Sequence, residues 1–310
     1  MKDCGGQIFT VRGYGVQITS IMILSIARMK RKLQNFRMLA VVSRRFSKGT
    51  PKEANGDLLR LFQYGIPHPY FAAIYLDICP FCCKLKAFLN WQKIPYTATD
   101  VNPITKSEIA FSKEYRKVPI AVLKGEQIND SSIILDKLVS DLRSGGKLGK
   151  DFKDSSDPEI AKWLEFVDKK LAILLFPNIT RNMFESWEAF GYINKVPHFN
   201  LFQKFALRVS GSVAMRLANG KIKKKYMIED ERASLVDAVN QWTRLGLKGS
   251  KFHGGDQQPD LADVTVYGCL KSINEFTTFA WLVGEADRDL LVWFNRMSEQ
   301  IDESSCVSRV

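Results

Sequence analysis

Three cysteines within five residues are the side chains in this sequence best suited to chemistry: Cys79, Cys82 and Cys83. The first two frame the run Cys-Pro-Phe-Cys. A thiolate is a nucleophile, and a second thiol three residues further along a helix can resolve a mixed disulfide. The spacing therefore predicts redox or nucleophilic chemistry centred on Cys79, with Cys82 as the resolving thiol and Cys83 close enough to take part.

Two structural roles compete with this chemistry. The pair could be half of a tetrahedral zinc site, but the sequence has no second Cys pair or Cys/His pair to complete one. The thiols could also be buried and inert, which the flanking sequence disfavours because it indicates a strand, the cysteines and then a helix. We therefore expect no metal site here. The other cysteines are scattered, which argues against a secreted disulfide framework and favours a reducing compartment.

Two elements must position the cysteines. The run Phe-Ala-Ala-Ile-Tyr-Leu at 71–76 predicts a buried strand, and apolar residues recur at helical spacing over 83–91. Pro80 suits a first helical turn, so Cys79 would sit at the helix N-terminus, where unpaired N–H groups and the helix dipole favour an anion. In such a setting a thiol pKa can fall from about 8.5 to about 3.5–7.5. Cys79 is thus expected to be a thiolate at neutral pH.

Three further elements are predicted downstream: a strand at 96–101, a crossover helix at 104–113 and a strand at 117–123. Pro119 lies near the start of the last strand, and a proline is unusual in a central strand. A cis bond ahead of Pro119 would turn the N–H and C=O of Val118 towards the active cysteine, where they could pair with a peptide backbone. An ordinary edge-strand proline is the alternative.

The run Asn-Asp-Ser-Ser at 129–132 opens a predicted helix at 133–142. These residues are good helix N-caps whatever the function. The amides at the helix start can also hold a carboxylate, and the Asp130 carboxylate can meet an ammonium group. The γ-glutamyl end of glutathione carries both groups.

The second half of the chain shows helical periodicity and no convincing strand. A polar connection at 147–158 precedes it. Asp260 can cap a helix with Asp263 three residues on, which predicts a folding role. An amphipathic stretch at 199–218 is followed by Gly220, a plausible helix stop, and by four lysines. That stretch could contact anionic lipid, although a solvated helix end is the favoured interpretation.

The charge of +12 is concentrated at the N-terminus. Residues 1–50 hold ten Lys or Arg and one acid, a net +9, while the remaining 35 bases and 32 acids give +3. Nucleic-acid binding along the body is therefore not expected. The Arg-rich, acid-poor segment indicates a mitochondrial presequence. Its apolar run at 16–27 is too short for a bilayer span, and a secretory or Golgi/ER-associated anchor, with a cytoplasmic form after processing, is the alternative.

These motifs together resemble a known fold and a known family. Cys-Pro-Phe-Cys, then Val-Pro, then Asp-Ser at these separations resembles glutaredoxins and the N-terminal domain of glutathione transferases. Local runs at 79–89, 115–120 and 163–178, with the Gly-Gly and Tyr-Gly pairs within 254–268, extend the similarity. From 71 to 301 the chain resembles the type 2 prostaglandin E synthase family.

That resemblance implies a thioredoxin-like α/β domain at 68–146 and an all-α glutathione-transferase-like domain at 157–304, after a targeting and linker segment at 1–57. It implies that Cys79 contacts the glutathione sulfur. The remaining implied glutathione contacts are Phe81, Val118, Pro119, Asp130 and Ser131. Cys79 and Cys82 would be the catalytic residues, and a homodimer is expected.

The implied activity is the isomerisation of an endoperoxide lipid, prostaglandin H to prostaglandin E, with glutathione and haem as cofactors. A glutathione-dependent thiol–disulfide oxidoreductase or transferase is the first alternative. A non-enzymatic haem or iron–sulfur carrier is the second. One departure favours the first alternative: the family commonly has a tyrosine three residues before the first cysteine, where this chain has Leu76, and Tyr75 beside it would face the other side of a strand.

Overall fold

A computed structural model describes residues 59–64, 78–101, 106–189, 191, 201–301 and 305–309. The targeting segment, the predicted strand at 71–76 and Leu76 itself lie outside these residues.

The first domain contains a five-stranded sheet in the order β4-β3-β1-β2-β5. Its strands are β1 Leu59–Tyr64, β2 Tyr96–Val101, β3 Ile120–Leu123, β4 Glu126–Asn129 and β5 Cys306–Arg309. β1 is parallel to β2 and antiparallel to β3, which is antiparallel to β4. β5 joins the outer edge of β2 in parallel from beyond the helical domain. Such a mixed sheet with helices confirms the thioredoxin-like α/β fold.

The central strand β1 was not among the predicted elements, and it begins before residue 68, where the sequence suggested that the domain starts. Leu59 and Leu61 are buried, as the alternation of the run Leu-Arg-Leu-Phe-Gln-Tyr would predict. Gln63 is also buried and donates a hydrogen bond to Asp100 of β2, at 3.1 Å. A buried amide in a central strand interrupts the apolar pattern that would otherwise predict a buried strand.

The connection between β2 and β3 differs from the prediction. The helix expected at 104–113 is wrong, since the described part of this connection has only a short 3-10 turn, Ser107–Ile109. Lys106 precedes the turn with a φ of 52°, which an α-helix cannot accommodate. The peptide bond between Val118 and Pro119 is cis, as expected.

Two helices of the first domain flank the site: α1 Pro80–Trp91 and α2 Ser131–Ser144. α1 buries a continuous apolar face that includes Leu85, Phe88 and Leu89, as the helical spacing predicts. α2 begins two residues earlier and ends two residues later than predicted, because Asp130 caps it.

The second domain is helical, as predicted. Its α-helices are α3 Pro158–Phe166, α4 Ala172–Ile179, α5 Met183–Ala189, α6 Leu201–Lys225, α7 Glu231–Gln241, α8 Leu261–Lys271, α9 Thr277–Glu285 and α10 Arg288–Ile301. Segments with π-helical pairing, Val167–Leu171 and Trp242–Leu247, extend α3 and α7. The expected stop at Gly220 is wrong, because α6 continues for five more residues.

The two domains are joined through the cysteine helix. α8 packs directly on α1, and its Gly268 makes this approach possible: a Cβ at that position would lie 2.7 Å from the carbonyl oxygen of Cys83 and 2.7 Å from the Cα of Lys84. The predicted capping box of α8 is present, with Asp260 accepting from the backbone N–H of Asp263 and Asp263 accepting from that of Asp260. The helical domain therefore fixes the position of α1.

None of the helices in the described ranges is long and apolar enough to cross a bilayer.

Candidate active site

Cys79 occupies the N-cap position of α1, as predicted from Pro80. Its backbone is extended, with φ −90° and ψ 110°, and its carbonyl accepts from the N–H of Cys83 at 2.9 Å. No side-chain cap is made from this position to the first turn. The N–H groups of the first turn and the helix dipole therefore favour a negatively charged group at this end of α1.

The clustered thiols differ in exposure. Cys79 is partly exposed, whereas Cys82 is 1% and Cys83 4% exposed. No disulfide joins any of the cysteines in the described segments. Within the same residues no cluster of His, Cys, Asp and Glu could hold a metal ion. An incoming substrate therefore meets Cys79 first, with Cys82 one helical turn behind it.

The Cys79 side chain packs against a small apolar cluster. Its buried members include Phe62 of β1, Cys82 and Val118, and both Cys79 and Tyr115 pack against it. Val118 is 7% exposed and precedes the cis bond to Pro119. The structure thus brings Cys79 and Val118 together, as the site prediction requires.

The other predicted glutathione residues lie at the start of α2 and beside α1. The Asp130 side chain accepts a hydrogen bond from the backbone N–H of Ser132 at 2.9 Å and is itself exposed. Asp130 has a φ of 74°. Ser131 is buried, and Phe81 is half-buried against the main core. The functional roles of these residues stay predictions.

Tyr115 is a site residue that the sequence did not single out. Burial raises the pKa of its phenol, and the nearby charges of Asp130, Cys82 and Cys79 raise it further, while the Asp130 backbone N–H acts in the opposite direction. Tyr115 is therefore close enough to Asp130, Cys82 and Cys79 for their charges to act on its phenol, and it packs against the same cluster as Cys79. Its place in the run Tyr-Arg-Lys-Val-Pro, four residues before Pro119, is the only sequence signal for it.

A buried ionic cluster behind the cysteines was also missed. Lys84 of α1 is 1% exposed, and its Nζ lies 2.6 Å from Oδ1 of Asp168 in the helical domain. The hydroxyl of Ser132 donates to the other oxygen of Asp168 at 2.6 Å. The cluster connects α1, the start of α2 and the segment Val167–Leu171. A contact between residues so far apart along the chain leaves no pattern in the sequence.

Cys269 of α8 lies in the interior close to these charges. Burial raises the pKa of its thiol far above the usual range; the charge of Asp168 adds to this rise and the charge of Lys84 opposes it. This cysteine is therefore a neutral packing residue.

A cavity of about 660 Å³ opens at the opposite end of α1. Trp91, Phe152 and His253 are among the residues that line it. Because Cys79 is at the N-terminus of α1 and Trp91 at its C-terminus, this cavity is separate from the thiol site.

Comparisons with known proteins agree with this architecture. Residues 74–143 match the glutathione S-transferase N-terminal domain family. The chain is 32% identical over 262 residues to prostaglandin E synthase 2 of Danio rerio, covering 71% of this chain and 68% of that protein. It is 31% identical over 274 residues to prostaglandin E synthase 2 of Mus musculus, covering 75% and 70%.

Among solved structures, the beta-etherase LigF of a Sphingobium species superposes with a TM-score of 0.49 and 16% identity. The match covers 79% of this chain and 99% of the etherase.

Proposed function

The chain belongs to the prostaglandin E synthase 2 family, and we propose that it isomerises prostaglandin H to prostaglandin E at Cys79, with glutathione bound beside the thiol. The observation that carries this proposal is the position of Cys79, partly exposed at the N-terminus of α1, with Cys82 and Cys83 buried behind it. A helix N-terminus favours the thiolate, which is the reactive form.

The reaction balances without an external oxidant or reductant. The Cys79 sulfur attacks one endoperoxide oxygen, so an S–O bond forms, the O–O bond breaks and the other oxygen leaves as an alkoxide that takes up a proton. Loss of the proton from the carbon that bears the sulfur-bound oxygen then forms the ketone and returns the electron pair to sulfur. The product is an isomer of the substrate and the thiolate is regenerated.

Glutathione binding is supported by the residues around the thiol. Val118 offers its backbone next to Cys79, and the exposed Asp130 carboxylate at the start of α2 can meet an ammonium group. We expect Asp130→Asn to weaken glutathione binding about tenfold, because the charge on the ammonium partner is lost while the amide oxygen can still cap α2. Calorimetric titration measures this, with Asp136→Asn on the same helix as the control.

Haem is the second group that the resemblance implies. Its iron needs a ligand, and of the three clustered thiols only Cys79 is exposed enough to approach one, so Cys79 and a glutathione sulfur held beside it are the groups that would hold the iron. When bound, haem would supply an iron for breakdown of the same endoperoxide.

The tyrosine that the family has near its thiol has a candidate in this chain. β1 ends at Tyr64, and its register with β3 pairs Phe62 with Ile120, so continuing that register sets Tyr64 level with Val118. We expect Tyr64→Phe to slow alkylation of Cys79 by iodoacetamide several-fold, with Tyr226→Phe as the control; an unchanged rate removes Tyr64 from the site.

Product analysis tests the main proposal. Wild type, Cys79→Ser and Cys82→Ser are incubated with prostaglandin H, with and without glutathione and haem. Prostaglandin E from haem-free wild type and Cys82→Ser, but not from Cys79→Ser, is the expected result. Product no greater than spontaneous decay contradicts it.

A glutathione-dependent thiol–disulfide oxidoreductase is the second candidate, favoured by Cys82 lying one helical turn behind Cys79. It predicts that a glutathionylated peptide is reduced at a rate that depends on Cys79. A disulfide substrate would require Cys82 as well, because Cys82 resolves the mixed disulfide. Isomerisation requires no second thiol, so Cys82→Ser separates the two functions.

A further inference from the structure

Helix α6 carries an exposed apolar stripe. Phe205, Val209, Val213 and Leu217 follow one another at four-residue spacing and are 61%, 39%, 44% and 67% exposed. Phe202 extends the stripe at the helix start and is 78% exposed. Residues at this spacing lie along one side of a helix. A soluble helix ordinarily turns such a stripe towards the core.

The opposite side of α6 is already packed on the helical domain. Ser212 and Asn219 are 0% and 1% exposed, and the Asn219 amide donates to the carbonyl of Pro177 and to the hydroxyl of Thr180, both at 2.9 Å. These polar contacts, together with Met215 packed against the core, anchor α6 to the helical domain. The apolar side faces outwards in the fold itself.

The charge along α6 has one sign. Between Leu201 and Lys225 there are seven Lys or Arg and no Asp or Glu. Arg208 donates a hydrogen bond to the carbonyl of Trp187, and Lys223 forms a salt bridge with Glu231. The exposed cations at the C-terminal half are Arg216, Lys221, Lys224 and Lys225.

We propose that α6 is an interfacial helix that lies on an anionic lipid surface, with its apolar stripe at the acyl boundary and its lysines among the headgroups. An apolar stripe beside basic residues is the pattern that such a surface binds. A second copy of this chain is a poorer occupant, since two α6 helices face to face would oppose cations with cations.

Vesicle sedimentation of the full chain tests this proposal. We expect binding to phosphatidylcholine vesicles that contain phosphatidylserine, and weak binding without phosphatidylserine or in about 1 M salt. Replacing Lys221, Lys224 and Lys225 with Gln should weaken binding roughly a hundredfold, at about tenfold or less for each lysine. Phe202→Ser with Leu217→Ser should weaken it by about tenfold or more.

Two controls make the result decisive. Leu245→Ser with Val292→Ser removes side chains of comparable exposure, 53% and 46%, elsewhere on the helical domain and should leave vesicle binding unchanged. The basic segment 1–50 is kept in every variant, so unchanged binding of the α6 variants would assign lipid binding to that segment and overturn the proposal. A dimer that the Phe202 and Leu217 changes dissociate, without vesicle binding, would overturn it too.

An independent observation concerns Tyr115. The connection that carries Tyr115 is fixed by hydrogen bonds rather than by a helix. Ser112 donates to the Tyr115 carbonyl at 2.7 Å, and Gln127 donates to the Ser112 hydroxyl at 2.9 Å. Arg116 donates to the carbonyl of Ile109 at 2.8 Å. The side chain of Tyr115 is half-buried against the cluster that also receives Cys79. The connection therefore holds the Tyr115 phenol against the same apolar cluster on which Cys79 packs.

We propose that the Tyr115 hydroxyl is the proton donor to the oxygen that leaves when the Cys79 sulfur attacks the endoperoxide, a role that rests on the proposed function. As the S–O bond forms and the O–O bond breaks, the phenol gives its proton to the alkoxide. The resulting phenolate then removes the proton from the carbon that bears the sulfur-bound oxygen. The C=O bond forms, the S–O bond breaks, and both Tyr115 and the Cys79 thiolate are restored.

The surroundings of Tyr115 suit this role. Burial and the nearby negative charges raise the pKa of its phenol, so the hydroxyl keeps its proton at neutral pH until a stronger base forms beside it. An alkoxide is such a base, and general acid catalysis of this kind contributes about 10²–10⁴-fold.

Tyr115→Phe tests the role with two reactions of the same thiol. Oxidation of Cys79 by cumene hydroperoxide gives a sulfenic acid and an alcohol, and the leaving alkoxide needs a proton. Alkylation by iodoacetamide releases iodide, which needs none. We expect the variant to slow hydroperoxide oxidation and prostaglandin E formation about a hundredfold or more and to leave alkylation unchanged.

The outcomes separate the two proposals. If the wild type makes no prostaglandin E, the isomerase fails, while slowed hydroperoxide oxidation still shows proton donation by Tyr115. If Tyr115→Phe slows alkylation and oxidation equally, or neither, Tyr115 is not the donor. Tyr226→Phe, at an exposed tyrosine of the helical domain, is the control for both reactions.

Discussion

At the scale of single residues, the Lys84–Asp168 pair makes an asymmetric prediction. Lys84 is 1% exposed, whereas the Asp168 side chain is 24% exposed. Asp168→Asn leaves a buried ammonium without its counter-charge and is expected to cost about 3 kcal/mol of unfolding free energy. Lys84→Met leaves a carboxylate that water and Ser132 still solvate, and should cost about 1 kcal/mol. Urea unfolding at neutral pH compares the two variants, and equal losses would contradict this account.

The site residues that sequence could predict are those with local signals. Cys79 and Asp130 each stand at the start of a helix, where proline or capping residues mark the position. Val118 was identified because the proline after it is unusual in a strand. Lys84 carries no such signal and Tyr115 has only its place four residues before Pro119, because their roles arise when distant segments meet.

At the scale of elements, the contact between α8 and α1 depends on one missing methyl group. Gly268→Ala would set a Cβ 2.7 Å from backbone atoms of α1, so the helices must separate, at a cost of about 1–3 kcal/mol. Because α1 carries Cys79, we also expect a lower rate of thiol alkylation. Gly220→Ala in α6, where a Cβ meets nothing within 4 Å, should instead stabilise by about 0.5–1 kcal/mol. Thermal unfolding distinguishes these results, and similar shifts for both would show that the contact is unimportant.

The elements that sequence predicted well are those with long, regular periodicity, such as α1 and the helices of the second domain. β1 was not predicted because Gln63 interrupts its apolar pattern. The apolar run at 71–76 lies nearer to Cys79 and instead predicts the strand before the cysteines. The helix expected at 104–113 failed for a different reason: Lys106 adopts a left-handed backbone, and side chains take over the hydrogen bonding of this connection.

At the scale of the whole molecule, His253 makes stability depend on pH. Burial lowers the pKa of His253, but a 2.6 Å hydrogen bond to Asp260 and the charges of Asp260, Asp263 and Glu159 raise it overall above 6.5. A raised folded-state pKa contributes stability that is fully present below pH 6.5 and is lost as the pH rises through the folded value. We therefore expect the melting temperature to fall as the pH rises above about 6.5.

His253→Asn tests whether His253 causes this pH dependence of stability. It should be less stable than wild type at about pH 6 and should show a flatter dependence above it. Burial also raises the pKa of Asp263, to about 6, so its own contribution is lost between pH 3.8 and about 6, below the window of His253. A wild-type slope that survives in the variant would mean that other groups cause it.

The position of β5 has a consequence for how the chain is made. The sheet takes four strands from before the helical domain and one, Cys306–Arg309, from after it. During translation, the outer edge of β2 stays unpaired until the whole helical domain has left the ribosome. An unpaired strand edge can pair with strands of other chains. Emergence of β5 closes that edge, so a ribosome that stalls within the helical domain would leave a nascent chain prone to aggregate through β2.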